Sequence, residues 1–253
     1  SAWDSSPRRL GRLWIQAMRE ASPRASGRAR AHGRFRVPPE HGARLQSFIE
    51  LVRQHQPEAL RDGLQQLLMK MGLQPFVIDI VAPLCTRIGE AWLRGYVDVP
   101  AEHLYTEQVK GILRTAIGVR STAARGRPAV LLTTFPEEQH ALGLLMVEAM
   151  LTPEGTCCVS LGVQTPLDDI CSAAAAGHYD IVAVSFSSAY PLRHAIDGLR
   201  SLRANLPPTV ELWAGGTGLR TAGRKLPGIQ VFTSLEGIPA AVNEWRKTAG
   251  IQP

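Results

Sequence analysis

Pro136-Glu137-Glu138-Gln139-His140-Ala141-Leu142-Gly143 lies between two apolar runs of different character. Upstream, Pro128 to Thr134 reads PAVLLTT, which is short, aliphatic and closed by a Phe-Pro turn; downstream, HALGLLMVEAML has the length and Leu/Met content of a buried helix. His140 therefore falls on the loop at the carboxyl end of a strand, the edge at which open α/β sheets bind ligands. Glu138, two residues earlier, can hold one ring nitrogen by a hydrogen bond and leave the other to a metal. Gly143 lets a bulky ligand approach the backbone. Taken alone, a loop histidine is more often an ordinary surface residue, so the rest of the chain has to decide.

Forty-one residues separate Gly143 from Ser185-Phe186-Ser187, which ends the aliphatic run IVAVSFS, and twenty-seven separate Ser187 from Gly215-Gly216, which ends VELWAGG. These elements resemble the cobalamin-binding domain pattern Asp-x-His-x-x-Gly, Ser-x-Leu, Gly-Gly at that family's separations. The resemblance implies that His140 is the lower cobalt ligand, displacing the cofactor's dimethylbenzimidazole. The nucleotide tail then enters the sheet near Ser185, with Gly215 and Gly216 leaving room for it. Two residues depart from the pattern: Glu138 stands in place of Asp and Ser187 in place of Leu. Glu138 keeps the carboxylate, and Ser187 is expected to line the tail pocket. Gly162-Val163-Gln164-Thr165-Pro166 resembles the family's loop beside the corrin, which adds Gly162 and Thr165 to the cofactor-binding set. Tyr190 and Thr217 are weaker lining candidates.

Strands and helices alternate along this half of the chain: PAVLLTT, a helix from His140, TCCVSLG, a helix from Pro166, DIVAVSFS, a helix from Pro191, VELWAGG, a short helix from Gly218, IQVFTS and a last helix through Trp245. Five such units predict a flavodoxin-like, Rossmann-like parallel sheet with helices on both faces over residues 127–250. Residues 43–122 read instead as four helices with short connections, a bundle in which Pro83 should kink the third helix. The expected fold class is thus α/β plus α, a four-helix bundle cap followed by the five-stranded domain, with 121–128 as linker.

The chain has 253 residues, 45% of them hydrophobic, enough for a real core. It shows neither a membrane-length apolar run nor a signal-peptide pattern, so a cytoplasmic location without membrane contact is expected. Cys85, Cys157, Cys158 and Cys171 lack zinc-site spacing and read as free, buried thiols. The net charge of +6 is concentrated in residues 1–44, which hold ten Arg against Asp4, Glu20 and Glu40. Leu10, Leu13, Trp14, Ala17 and Met18 follow a helical period there, with Arg8, Arg9, Arg12 and Arg19 around them. Residues 1–42 thus form a basic extension and linker, suited to docking on a partner or touching DNA phosphates. No helix-turn-helix or zinc-finger pattern accompanies it.

Within the bundle, nine residues separate Trp92 from Glu102-His103. Alone these read as a core Trp and a helix-capping Glu; after a cobalamin pattern they resemble the helical cap of CarH/LitR-type light-dependent regulators. The resemblance implies that Trp92 packs on the upper axial group of the cofactor, adenosylcobalamin or hydroxocobalamin, that Glu102 contacts it, and that His103 can take the upper position on cobalt. An indole shields a labile bond from water and a neutral imidazole is a good cobalt ligand. A mutase is excluded because the chain has no room for a substrate barrel. The combination of a cap, a cobalamin domain and a basic extension is similar to AerR/PpaA-type stand-alone antirepressors, which act on a separate DNA-binding repressor. The expected function is a non-enzymatic, light-responsive transcriptional regulator, with a corrinoid shuttle protein of a methyltransferase system as the alternative. The oligomeric state is left open.

Overall fold

A computed structural model of the protein describes residues 39–121, 126–220 and 226–251. The basic amphipathic segment predicted around Leu10 to Met18 lies outside the described residues.

The first described helices are α1 (Pro39–Arg53) and α2 (Pro57–Met71). In α2, Pro57 sits at the helix start and Leu60, Leu64 and Leu67 form one buried stripe. The third helical segment begins as α3 (Leu73–Phe76), widens into a π turn at Val77–Val81, and continues as α4 (Ala82–Leu93). This is the form that the expected break at Pro83 takes. Proline offers no N–H to the carbonyl four residues back and its ring crowds that carbonyl, so the turn before it opens by one residue. The Ala82 N–H accordingly bonds to the Val77 carbonyl. The last cap helix is α5 (Val99–Ser121).

The second half alternates β1 (Gly126–Thr133), α6 (Leu142–Leu151), β2 (Thr156–Gly162), α7 (Leu167–Ala176), β3 (Ile181–Ser185), α8 (Leu192–Asn205), β4 (Glu211–Gly215), β5 (Ile229–Phe232) and α9 (Gly237–Thr248). The strands run parallel in the order β2-β1-β3-β4-β5, the flavodoxin-like order expected from sequence. The order reverses between β1 and β3, which makes their carboxyl ends the switch point of the sheet. Three local expectations shift. The helix after His140 starts at Leu142, the short helix expected from Gly218 is a single 3-10 turn at Thr217–Leu219, and the expected linker is shortened by α5 and β1 from both sides. All four cysteines are free but only half-buried. Burial pushes the Cys85 thiol up to about 11 and the Cys158 thiol up to about 12, so neither is a thiolate at neutral pH.

Alternate residues of β1 feed two cores. Leu131 joins Val182 and Val184 against α7 and α8. Val130 and Leu132 join α6, α9 and the cap, so that Phe76, Ile80, Leu84 and Leu113 belong to the same apolar cluster as Leu144, Met150 and Trp245. The Gln74 amide ties the cap to α6 at its far end, donating to the Met150 carbonyl at 2.9 Å and to Glu154 Oε1 at 2.7 Å. Cap and sheet are therefore one packing unit. Phe76→Ala, which empties a fully buried position in that shared core, should cost about 3–5 kcal/mol. Urea unfolding followed by circular dichroism and by tryptophan fluorescence should show one coincident transition at lower denaturant, whereas separate transitions for the two halves would contradict a shared core.

Candidate functional site

Thr133 and Thr134 close the aliphatic run of β1, and both are fully buried although polar. Buried hydroxyls need partners, and theirs build the site loop. Thr134 Oγ1 donates to the Glu138 carbonyl at 2.7 Å and accepts the Gln164 N–H at 2.9 Å; Thr133 Oγ1 meets Thr165 Oγ1 at 2.7 Å and lies 3.2 Å from the Gly162 carbonyl. The loops after β1 and β2 are thus laced together at the sheet's carboxyl edge. Glu137 and Gln164, one in each loop, adopt left-handed backbone conformations rarely used by residues other than glycine (φ 69° and 59°). Local strain of this kind persists where the surroundings over-determine it.

The lacing carries Glu138 inward and leaves His140 outside. Glu138 is 1% exposed, while the His140 side chain is 43% exposed. Glu138 Oε1 lies 2.6 Å from His140 Nδ1 and accepts the His140 backbone N–H at 3.0 Å. Its other oxygen accepts both the N–H and the hydroxyl of Ser187, each at 2.8 Å. Burial by itself would raise the carboxyl's pKa, but the bonds from His140 and Ser187 outweigh it and hold the group below the ordinary glutamate range. A carboxylate at Nδ1 is the partner that orients the ring of a metal-ligating histidine, whose ligand atom is then the other ring nitrogen, Nε2. Such a nitrogen is a metal donor.

Ser187, expected to line the tail pocket, donates to Glu138 through both its N–H and its hydroxyl. Gly143 makes room for Ser185, whose Oγ a Cβ there would meet at 2.3 Å. Gly216 (φ 104°) presses against the Phe186 carbonyl, where a Cβ would come to 2.2 Å, and Gly215 pairs in register with Ser185. The glycine pair is thus held close to the exit of β3. Phe135 meets Phe186 edge-on and Phe186 meets Tyr190 at a tilt, with centroids 5.0 and 5.3 Å apart. Thr217, itself exposed, opens the 3-10 turn after β4. On the cap, Trp92 lies half-buried in the last turn of α4. Glu102 and His103 pair at 3.3 Å on the first turn of α5, with the His103 side chain 73% exposed, and Glu102 also accepts the Thr106 hydroxyl at 2.8 Å. Thr133 and Thr134 were missed from sequence, where two threonines ending an apolar strand were the available signal.

Among the described residues no group of three or more His, Cys, Asp or Glu could hold a bare metal ion. A corrin brings its own equatorial nitrogens, so one outward imidazole backed by a carboxylate is the donor set it needs from a protein, and His140 with Glu138 fits that need. Residues 128–242 match a family model described as a B12 binding domain, and residues 44–116 match a second model of the same description. The chain belongs to the cobalamin-binding family. It binds cobalamin. Over 207 residues, 81% of this chain and 66% of the relative, it is 28% identical to "HTH-type transcriptional repressor CarH" of Myxococcus xanthus. It therefore spans just under two thirds of that relative's length. The fold is similar to the monomethylamine corrinoid protein of Methanosarcina barkeri, with a TM-score of 0.61 and 12% identity over 78% of this chain and 96% of that one.

The carboxylate cluster makes two expectations. A glutamate pKa lowered by folding contributes stability that is present above the unfolded value of about 4.3 and is lost as pH falls through the folded value. The stability difference between wild type and Glu138→Gln should therefore be largest near neutral pH and shrink on acidification, as read from urea unfolding at several pH values; a pH-independent difference would contradict the charged pairing. Ser187→Ala should cost about 1.5–3 kcal/mol in wild type, as a bond to a charged group, and clearly less in the Glu138→Gln background.

Proposed function

We propose that this chain is a non-enzymatic cobalamin-dependent sensor that regulates transcription in response to light, acting on a separate DNA-binding repressor as AerR/PpaA-type antirepressors do. The observation that carries this reading is the 28% identity, extending over both cap and binding domain, to a protein named as a transcriptional repressor. The Trp92 and Glu102-His103 arrangement on the cap supports it. The likeness to the corrinoid protein is one of fold, and it fits the alternative, a methyltransferase shuttle, equally well.

When bound, cobalamin supplies a cobalt ion whose upper ligand is exchangeable and, if alkyl, light-labile. In this reading His140 would hold the cobalt through Nε2. Glu138, itself held by Ser187, keeps the Nδ1 proton in place and the ring at one angle. Gly162, Thr165, Ser185, Ser187, Gly215 and Gly216 surround the path of the nucleotide tail. Trp92 would keep water from the cofactor, Glu102 would contact its exchangeable group, and His103 would be the imidazole able to replace that group. The basic residues 1–44 serve as the contact to the repressor or to nearby DNA.

Absorption spectra before and after illumination test the signal. His140→Ala should lose bound cobalamin or leave it base-on, and an unchanged affinity and spectrum would refute the lower-ligand assignment. His103→Ala should keep the light reaction but end in a spectrum different from wild type. Removal of residues 1–40 should leave cobalamin binding intact and weaken association with the repressor, and association equal in dark and light for the intact chain would favour the shuttle.

A further inference from the structure

The nine-residue spacing between Trp92 and Glu102 is a built structure. Helix α4 ends in a Schellman motif: Gly95 takes the left-handed conformation (φ 71°), its N–H bonds to the Trp92 carbonyl at 2.9 Å, and the Tyr96 N–H reaches back to the Ala91 carbonyl at 2.8 Å. Val97 then plugs into the core at 1% exposure, and Asp98 Oδ1 caps α5 by accepting the Ala101 N–H at 2.8 Å. One turn later come Glu102 and His103. The connection Arg94–Asp98 thus joins Trp92 rigidly to the Glu102-His103 pair.

That connection is in turn fastened to the α1–α2 corner at two exposed points. His55, itself left-handed (φ 52°), places Nε2 3.1 Å from the second carboxylate oxygen of Asp98, across 43 positions of sequence. Tyr96 Oη donates to Glu50 Oε2 at 3.1 Å, and Arg53, paired with the same Glu50, lies over the Tyr96 ring at 5.6 Å. Hydrogen bonds from Arg53, then Gln54, with Tyr96 adding to them, pull the Glu50 carboxyl down to about 2, so it stays charged at any ordinary pH. Exposed pairs of this kind are individually weak, so they can part while the buried side chains beside them, Val52, Leu60 and Val97, stay packed in the core. Their position is specific: one side leads to the residues assigned to the upper ligand, and the other is the end of α1, the helix that follows the basic segment in sequence.

We propose that the His55–Asp98 and Tyr96–Glu50–Arg53 contacts form a releasable clasp that positions Trp92, Glu102 and His103 and passes their displacement to α1. This deepens the sensor reading and rests on it. His55 and Tyr96 are positioning residues, acting through the connection and not on the cofactor. A shift of the first turn of α5 toward the upper ligand would move Asp98 with it, strain both contacts together, and loosen the polar seam between the connection and the α1–α2 corner.

The double variant His55→Ala/Tyr96→Phe tests this, because it removes both hydrogen bonds across the seam and leaves the Asp98 cap of α5, the Gly95 turn and the aromatic ring under Arg53 in place. In the cobalamin-free protein, amide exchange over residues 94–102 should quicken roughly threefold to tenfold, with the sheet unchanged. In the loaded protein, the His140-dependent spectrum should persist while the His103-dependent part of the light-induced change alters in rate. His55→Gln, which keeps a donor toward Asp98, should restore much of the exchange protection when combined with wild-type Tyr96. Wild-type exchange over 94–102, or an unaltered His103-dependent change, would overturn the clasp. If His103→Ala with the clasp intact already behaves as wild type, the failure belongs to the upper-ligand reading, and the coupling falls with it.

Discussion

A buried carboxylate with donors on both oxygens organises the ligand edge of this protein. Glu138 sits inside the sheet's carboxyl edge at 1% exposure, where an unpaired charge would not be tolerated, and it is satisfied by His140 on one side and Ser187 on the other. Those donors come from the loops after β1 and β3, the two strands that flank the switch point. The charge thus ties together the halves of the sheet where it opens, and the same bonds orient the imidazole outward. Structural tie and ligand orientation are one interaction.

The two departures from the cobalamin-domain pattern become intelligible together. A glutamate is one methylene longer than an aspartate, and in this structure its second oxygen reaches the N–H and hydroxyl of Ser187. A leucine at 187 could offer only its N–H. With Glu at 138, a residue carrying a side-chain donor at 187 gives the extra acceptor capacity a partner, as burial requires. What reads from sequence as two unrelated losses of agreement is, in the structure, one matched pair.

The cap and the binding domain share a core, which decides how any change at the upper face can spread. Phe76, Ile80 and Leu84 pack in the same cluster as Leu144 and Met150, and Gln74 bonds to the end of α6. That face of the cap is committed to the sheet. The α1–α2 corner adds exposed polar contacts to its buried apolar ones, and these polar contacts can part without loss of the core.

Much of this was legible in the sequence because it depends on short-range pattern. Alternating aliphatic runs and helical periods gave the parallel sheet and the bundle, and Glu138 and His140 lie two residues apart on one loop, so their pairing is local geometry. Pro83 announced a disturbance, since its missing N–H is a property of the residue alone, but whether the helix would kink or widen depended on the packing around Val77–Val81. Tertiary structure alone decided the contacts made across long stretches of chain: Ser187 with Glu138 over 49 positions, Thr133 with Thr165 over 32, Gly143 against Ser185, and His55 with Asp98 over 43. A hydroxyl or an imidazole can serve many partners, and nothing in its neighbours along the chain says which one the fold will bring within 3 Å.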